Sequence, residues 1–414
     1  MENTTTELIQ HLMLLLLVIV STGMIVGTIA KKLRLPDVAL FIIAGMIIGQ
    51  GFHWINESST SLTNQFILVA GSAIILFDGG RNIRLHGLKQ VGWTVGLLSV
   101  PGVLITVGVV GAVIHYLFGI DWLYALLAAA VIASTDPASI IPVFRQVRIR
   151  ERVRETVESE SAFNDATGSI LTFALLGAAT GKSSLDAGVI TLDFLKTALG
   201  GIGVGLGVGF AVVYLVSHIR FGVLRDYTTI AMIGTAIGSY LLGDLLHVSG
   251  FMATFVAGLI WGNSGSFGLH MHGKHEEMSH FSDNMTVMMR MLIFILLGSQ
   301  VDFGLLADYW WQSLLAVLVL MVIARPLTVF ASALPDVKSR WSLKEMAFMM
   351  WVRETGVIPA ALSGMLAGMG VKHADIIASV TFMAIMLTIL LQASTTAWMA
   401  RKLGMVLDTK NGKQ

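Results

Sequence analysis

The sequence predicts an all-α polytopic membrane protein, and three observations lead to this fold class. First, 55% of the 414 residues are apolar and only 13% are charged, whereas soluble domains carry about 25% charged residues. Second, the chain divides repeatedly into stretches that can cross a bilayer, which takes about 20 mostly apolar residues. Third, Lys and Arg concentrate in every second connection between these stretches. These features exclude a soluble enzyme, a nucleic-acid-binding protein and a receptor with one membrane anchor.

Apolar stretches and charged breaks together predict thirteen transmembrane helices, called spans 1 to 13 here. They cover residues 8–30, 36–52, 65–80, 91–118, 121–143, 159–179, 190–217, 226–244, 246–263, 286–303, 309–334, 343–370 and 374–400. Because only about 14 residues follow span 13, we expect residues 1–414 to form a single membrane transport domain with no soluble regulatory domain. The sequence contains no cysteine, which excludes disulfides, thiol catalysis and thiolate metal sites.

The basic residues orient the predicted spans. Most of the 27 Lys and Arg residues fall in one set of alternate connections, near residues 31–34, 81–89, 145–154, 220–225, 274–290, 338–344 and 401–413. The opposite set holds only Lys182, Lys196 and Lys372. Since short cytoplasmic connections carry the excess of Lys and Arg, we expect an integral cell-membrane protein with its amino terminus outside and its carboxyl terminus in the cytoplasm.

Span 5 contains a polar interruption, Ser134-Thr135-Asp136-Pro137. Pro137 lacks a backbone donor and clashes with the preceding turn, so we expect the helix to break there. Ionisable groups at bilayer depth are costly and usually functional. Asp136, with Thr135 beside it, is therefore a candidate for binding an ion or a proton. The alternative is a proline kink whose aspartate only caps the following half-helix.

Span 6 begins with a helical face rich in oxygen atoms. Ser161, Asn164, Asp165 and Gly168 recur at i, i+3, i+4 and i+7, and Glu160 flanks them. Hard cations take oxygen ligands, so hydroxyl, amide and carboxylate groups on one face predict an ion site. Gly168 also allows another backbone to come close. The alternative is a polar face that only packs against a neighbouring helix.

Span 12 carries a second charged interruption, from Arg353 to Pro359. If span 7 links two six-helix halves, spans 5 and 12 are each the fifth in their half. Interrupted segments at corresponding positions point to the binding site of a transporter, so we expect two inverted six-helix repeats whose broken spans 5 and 12 cross. Arg353, and Arg325 in span 11, are expected to form supporting ion pairs. An ion pair that only fixes helix geometry is the alternative.

Taken together, these motifs resemble those of the NhaP-type sodium/proton antiporters. That family belongs to the branch of the monovalent cation/proton antiporter superfamily that includes the sodium/hydrogen exchangers. The resemblance covers nearly the whole chain. It rests on the Thr-Asp-Pro of span 5, the Glu-Ser-x-x-Asn-Asp of span 6, the Leu-Phe-Asp-Gly-Gly that ends span 3, and the Arg-x-x-Gly of span 12.

The resemblance implies a role for each candidate residue. Asp165 takes either the ion or the proton, while Ser161 and the region of Thr135 supply further oxygens. Glu160 contributes directly or through water. Asn164 steadies the crossing. The span 12 arginine, Arg353, is expected to pair with Glu160.

Two positions depart from the family pattern. Members often show Glu where this chain has Asp78, a change that we expect to be tolerated. After the span 12 arginine, members commonly continue with Gly-Ala, whereas here Glu354-Thr355-Gly356 follows. Glu354 thus adds an acid to the charge balance of the predicted crossing.

The function that the resemblance implies is secondary antiport, not enzymatic catalysis. We expect cytoplasmic Na⁺, and also Li⁺, to be exchanged for external protons by alternating access, one for one and without net charge movement, because Asn164 stands beside Asp165. A K⁺/H⁺ antiporter using the same site is the alternative. A cation channel is less favoured, since the sequence shows no filter loop or repeated charged ring. An intramembrane hydrolase is disfavoured because no nucleophile and base stand at a recognisable spacing.

The family also implies an arrangement of the spans. Spans 4–6 and 11–13 would form a mobile core, and spans 1–3 and 7–10 a dimerisation region. We expect a homodimer in membrane lipid. No cofactor is expected, no nucleic acid, and no metal other than the transported monovalent cation.

Span 7 is unusually rich in glycine between Gly200 and Gly209. No strand precedes it and its flanks are apolar, which argues against a dinucleotide-binding loop. Gly201, Gly205 and Gly209 form a small-residue stripe that predicts close helix packing.

The connection after span 9 is rich in histidine, with His270, His272, His275 and His280. We expect a solvated loop without a specific role. The alternatives are sensing of cytoplasmic pH, since histidine titrates near neutrality, and binding of a transition metal.

Overall fold

The chain is described here by a computed structural model that covers residues 2–33, 35–55, 57–136, 144, 147, 149–181, 187–217, 224–269 and 275–406. Its α-helices over these ranges are α1 (Glu2–Leu33), α2 (Asp37–Met46), α3 (Leu62–Asn82), α4 (Leu85–Ser99), α5 (Pro101–Phe118), α6 (Trp122–Val131), α7 (Glu151–Ala179), α8 (Ala187–Ser217), α9 (Thr228–Leu245), α10 (Gly250–Gly262), α11 (His275–Ser299), α12 (Phe303–Val319), α13 (Arg325–Ala333), α14 (Leu343–Trp351), α15 (Val357–Gly368), α16 (Ala374–Leu387) and α17 (Ser394–Lys402). Short π-helical segments extend α2 and join α12 to α13 and α16 to α17. Over the same ranges, the only β-type pairing is an isolated bridge between Ile149 and Val406.

Seven helical runs in the described ranges are long and apolar enough to cross a membrane. They are α1, α3, α4 with α5, α8, α11, α12 with α13, and α16 with α17. Four shorter apolar helices accompany them, namely α2 with its π-helical extension, α6, α10 and α15. The predicted all-helical fold is therefore confirmed. The last seven residues of predicted span 5, 137–143, lie outside the described residues.

Proline marks two of the discontinuities in the long helices. Span 4 is divided into α4 and α5, and Pro101 is the first residue of α5. Proline suits this position because the first turn of a helix needs no backbone donor. Pro326 lies in the first turn of α13, directly after the π-helical segment Leu320–Ala324. The irregular turns thus lie where the chain lacks an N–H donor.

The glycine stripe of span 7 lies against α10. A Cβ atom added to Gly201 or Gly205 would come within 2.6 and 2.4 Å of the backbone oxygens of Ser249 and Ala253, respectively. Gly203, on the other side of α8, has nothing within 4 Å of its Cβ position. The prediction of close helix packing is confirmed.

Helix α7 holds the polar face of span 6 against the interior. Its apolar side, including Ala162, Ala166 and Ile170, packs on Met252 and Phe255 of α10. It also packs against α4, α6 and α8. The contact between α7 and α10 directs the opposite, polar face of α7 towards the end of α6.

Candidate functional site

Two non-helical segments meet in the middle of the protein. Helix α6 ends at Val131, and α14 and α15 are separated by residues 352–356. The backbone N–H of Asp136 donates a hydrogen bond of 2.8 Å to the backbone oxygen of Glu354. The interrupted parts of spans 5 and 12 therefore contact each other directly.

Arg353 donates hydrogen bonds to the backbone carbonyls that follow α6. Its Nη2 donates hydrogen bonds of 2.9 Å to the backbone oxygens of both Ile132 and Ala133. The guanidinium is buried, with 2% of the residue exposed. The last carbonyls of a helix lack intrahelical partners and carry partial negative charge, so a buried cation is stabilising here.

Asp136 lies at the beginning of α15. Its Oδ2 accepts a hydrogen bond of 3.2 Å from the backbone N–H of Val357, the first residue of that helix. Gly356 lies directly against it, since an added Cβ would be 2.1 Å from both Cβ and Oδ2 of Asp136. The carboxylate thus faces the partially positive end of α15, as Arg353 faces the partially negative end of α6.

Thr135 is held by four hydrogen bonds to α7, which join the broken span to span 6. Its backbone N–H donates to Oδ1 of Asn164 at 3.0 Å, and Nδ2 of Asn164 donates to the Thr135 hydroxyl at 2.9 Å. The Thr135 hydroxyl lies 3.0 Å from the Ser161 hydroxyl, which in turn donates to the Thr135 carbonyl. Both ends of the Asn164 amide are therefore engaged in fixing Thr135.

Asp165 follows Asn164 on α7 and lies beside this network. Only 6% of the residue is exposed, and its Oδ1 accepts no hydrogen bond from any described residue. Asp136 is its charged neighbour. A buried carboxylate oxygen without a donor is costly unless a proton or a cation occupies it. Asp165 therefore presents an unsatisfied, buried carboxylate oxygen, with Asp136 and Ser134 as its polar neighbours.

Glu160 pairs with an arginine, but not with the one that we expected. Arg325 contacts both of its carboxylate oxygens, with Nη2 2.9 Å from Oε2. Arg325 also donates to the Met349 carbonyl at 3.0 Å, near the end of α14. The expected pairing of Glu160 with Arg353 is wrong, because the guanidinium of Arg353 is directed to the end of α6 instead.

Asp78, at the departure from the family pattern in span 3, lies near the end of α3 in a separate polar cluster. Its carboxylate accepts hydrogen bonds from Arg81 at 2.8 Å, Asn82 at 3.1 Å and Ser282 of α11 at 2.6 Å. These bonds tie α3 to α11.

The histidine-rich connection lies partly outside the described residues, which omit His270 and His272. His280 lies within α11, 3.9 Å from Glu276. Among the residues that the structure describes, no group of three or more His, Asp or Glu side chains could hold a metal ion.

A protein-family model described as the transmembrane sodium/hydrogen exchanger matches residues 16–402. The chain belongs to the sodium/hydrogen exchanger family.

Individual relatives of this exchanger agree with the family match. The probable Na⁺/H⁺ antiporter 2 of Methanocaldococcus jannaschii is 30% identical over 404 residues, which cover 90% of this chain and 92% of that protein. The K⁺/H⁺ antiporter NhaP of Alkalimonas amylolytica is 28% identical, over 98% of this chain and 69% of its own. The predicted family is therefore confirmed, and these relatives are antiporters rather than enzymes.

A solved structure shows the same fold. The sodium proton antiporter MjNhaP1 of Methanocaldococcus jannaschii, determined at pH 8, matches this exchanger with a TM-score of 0.85 and 29% identity. The match covers 96% of this chain and 99% of that chain. The exchanger is thus an integral membrane protein with the all-helical fold of that antiporter, and the roles of its individual site residues stay predictions.

Proposed function

We propose that this protein is a secondary antiporter that exchanges cytoplasmic Na⁺ for external H⁺ by alternating access. The observation that supports this most directly is the unsatisfied, buried Oδ1 of Asp165, on the residue that follows Asn164, whose amide fixes Thr135. Membership of the sodium/hydrogen exchanger family supports the same reaction.

In the proposed mechanism, a proton and a cation compete for Asp165. Burial favours the neutral form of a carboxyl group. When no cation is bound, Asp165 therefore carries a proton, and an entering cation displaces that proton. Ser161 and Thr135 supply neutral oxygens to the cation, and Asn164 positions Thr135. Only the loaded site crosses the low-dielectric barrier, which couples the two fluxes. One carboxylate then trades one proton for one monovalent cation, without net charge movement.

Four charged residues around Asp165 hold the geometry of the proposed site. Asp136 is placed next to the ion path and stabilises the beginning of α15. Glu160 supports the site through its pair with Arg325, and Arg353 holds the end of α6. Since each of these charges lies against a helix end or an opposite charge, they fix the geometry in which Asp165 exchanges its ion.

The architecture that we propose has thirteen membrane spans in two inverted six-helix repeats. The amino terminus lies outside the cell membrane and the carboxyl terminus in the cytoplasm. Spans 4–6 and 11–13 form the mobile core, spans 1–3 and 7–10 form the dimerisation region, and two copies associate as a homodimer in lipid.

A second candidate is K⁺/H⁺ exchange through the same residues. It is favoured by the name of the relative from Alkalimonas amylolytica, a K⁺/H⁺ antiporter that matches 98% of this chain. Ion choice depends on cavity size and ligand number. The side-chain types of the site therefore do not determine whether Na⁺ or K⁺ is exchanged.

The test is ion exchange in proteoliposomes under an imposed pH gradient, with Na⁺, Li⁺ and K⁺ added separately. Asp165→Asn removes the titratable charge and nearly preserves the shape, so exchange should be lost while the folded protein is still purified. Asp226→Asn, at an exposed aspartate before α9, is the control and should exchange like the parent. If Asp165→Asn protein exchanges ions near the parental rate, the site lies elsewhere.

A further inference from the structure

Glu354 is an acid inside the crossing that the proposed exchange at Asp165 does not use. The residue is fully buried, with 0% of its surface exposed. Neither Oε1 nor Oε2 accepts a hydrogen bond from any other described residue, and only the backbone N–H of Glu354 itself acts on the carboxylate as a donor. Buried polar groups are nearly always hydrogen-bonded, and an exception calls for an explanation such as a bound ion.

The two nearest cations are engaged with other partners. Arg353 donates to the carbonyls of Ile132 and Ala133. Arg325 donates to Glu160 and to carbonyls at the end of α14. Their charges act on Glu354, but neither guanidinium forms a hydrogen bond with it.

A second unsatisfied oxygen belongs to the helix that passes the same break. In the π-helical segment between α16 and α17, Oε1 of Gln392 is buried and has no hydrogen-bond partner among the described residues. The stretch of chain around it runs alongside the break, since the Thr355 N–H donates to the Thr388 hydroxyl at 3.0 Å and Trp351 donates to Thr395 at 2.9 Å. Gln392 therefore lies, between Thr388 and Thr395, on the segment that runs alongside the break containing Glu354.

The charges of the crossing are also unequal. Four buried carboxylates, those of Asp136, Glu160, Asp165 and Glu354, accompany two buried guanidinium groups, those of Arg325 and Arg353. The four carboxylates exceed the two guanidinium groups by two negative charges. The proton or cation that Asp165 exchanges neutralises one of these two charges. The other, without a hydrogen-bond donor from another described residue in a low-dielectric interior, is costly unless a positive charge neutralises it.

We propose that Glu354 forms a second monovalent cation site, whose occupant, a proton or an alkali cation, stays bound while Asp165 exchanges its ion. The inference rests on the proposed function, because it assigns the moving charge to Asp165. With Glu354 neutralised, the crossing carries one net negative charge, which is the condition for one-for-one exchange. The occupant of Glu354 thus sets the stoichiometry without being transported.

The test isolates Glu354 by blocking the exchanging carboxylate. Thermal unfolding is followed for Asp165→Asn and for Asp165→Asn/Glu354→Gln, from neutral to alkaline pH and with increasing NaCl or KCl against choline chloride. A bound ligand raises the Tm with its concentration. If an alkali cation occupies Glu354, NaCl or KCl should raise the Tm of Asp165→Asn by at least about 2 °C relative to choline chloride. The Tm of the double variant should not show this rise. A proton predicts a Tm that falls with rising pH, again only where Glu354 is present.

Glu345 provides a matched control, because it is equally buried but its carboxylate is engaged by Arg152 and Ser342. Asp165→Asn/Glu345→Gln should have a lower Tm overall and should retain the response to pH or salt. If all three proteins respond alike, Glu354 binds no cation and the inference is overturned.

Transport under voltage tests whether the occupant stays bound. The steady-state ratio of Na⁺ to H⁺ should not change with an imposed potential in the parent or in Glu354→Gln, because the neutral amide reproduces the charge of the occupied carboxylate. A ratio that depends on voltage in the parent and not in Glu354→Gln would overturn the inference, since Glu354 would then be transporting its proton. Failure of the proposed function is distinguished separately, because it appears as continued exchange by Asp165→Asn.

Discussion

Arg325 and Glu160 form a two-point ion pair between α13 and α7, with Nη2 of the arginine 2.9 Å from Oε2 of the glutamate and a second contact between Nη1 and Oε1. Both residues are at least 97% buried, since they are 3% and 2% exposed. Removing one partner of a buried pair leaves an uncompensated charge, at a cost of about 3–5 kcal/mol.

The first prediction is energetic coupling within this pair. Glu160→Gln and Arg325→Gln should each lower the Tm, and the double variant should recover part of the loss because no lone charge remains. Thermal unfolding of the four proteins in detergent measures the coupling. The same cycle with Arg353→Gln should show weaker coupling, since Arg353 bonds the carbonyls that follow α6. Plain additivity for Glu160 and Arg325 would argue against their contact.

The second prediction concerns Gly356, whose Cβ position lies 2.1 Å from Oδ2 of Asp136. Gly356→Ala must displace the aspartate or the break itself, so exchange should fall and stability should drop by about 1–3 kcal/mol. Proteoliposome transport and thermal unfolding measure both effects. Gly234→Ala in α9 is the control, because nothing lies within 4 Å of that position and alanine favours a helix. If Gly356→Ala and Gly234→Ala show the same transport rate and the same Tm, the close contact of Gly356 with Asp136 is not required for either.

The third prediction is a dependence of stability on pH at Asp336, between α13 and α14. Burial raises the pKa of this carboxyl group, but hydrogen bonds from Thr94 at 2.6 Å and from Ser339 lower it by more, so the net shift is downward. Because the folded protein favours the ionised form, the stabilisation is fully present above the ordinary pKa of about 3.9. It is lost as the pH falls through the lowered pKa of the folded state.

Asp336→Asn should therefore lower the Tm at neutral pH, by the equivalent of about 1–3 kcal/mol, and the gap to the parent should close in acid. Thermal unfolding across this pH range measures the gap. The exposed Asp226→Asn serves as the control and should follow the parent throughout. A gap of constant size down to low pH would show that the hydrogen bonds to Asp336 do not depend on its charge.

The fourth prediction is the orientation of the chain. The sequence contains no cysteine, so single cysteines give a clean signal. Thr60, between α2 and α3, and Lys338, between α13 and α14, are both exposed. Thr60→Cys should react with a membrane-impermeant maleimide added to intact cells, whereas Lys338→Cys should react only after the membrane is opened. The reverse pattern would invert the proposed topology.

The fifth prediction is that exchange moves no net charge. Moving one elementary charge across a membrane is worth about 2.3 kcal/mol per 100 mV, so an electrogenic exchanger responds plainly to an imposed potential. In proteoliposomes carrying out Na⁺/H⁺ exchange, a K⁺/valinomycin potential should leave the steady-state ion ratio unchanged. A ratio that shifts with voltage would rule out one-for-one exchange.

Much of this arrangement is predictable from the sequence, because a membrane makes polar residues conspicuous. The interruptions at Asp136 and Arg353 stand out against apolar sequence, and the predicted division into two halves places them at corresponding positions, which predicts the contact between Asp136 and Glu354. Likewise, the spacing of Ser161 and Asn164 places both on one helical face, which the structure directs at Thr135.

The partners of the buried arginines are not predictable in the same way. Arg325 lies 165 residues from Glu160 in sequence, and the choice between two arginines depends on how α13 and α14 pack. The end of α6 competes for Arg353 through backbone carbonyls, which carry no signal in the sequence. The missing hydrogen bonds of Glu354 become visible only once every neighbouring donor has been assigned.

The bond between Arg353 and Ile132 spans 221 residues of sequence, and this has a consequence for biosynthesis. At about 5–20 residues per second, the ribosome makes the arginine roughly 10–45 s after the carbonyl that it satisfies. Until then, the carbonyls of Ile132 and Ala133 lack this donor, and a buried carbonyl without a partner is costly. The hydrogen bonds at the centre of the exchanger are therefore completed late in synthesis. A chain truncated before Arg353 would lack the donor for the carbonyls that follow α6.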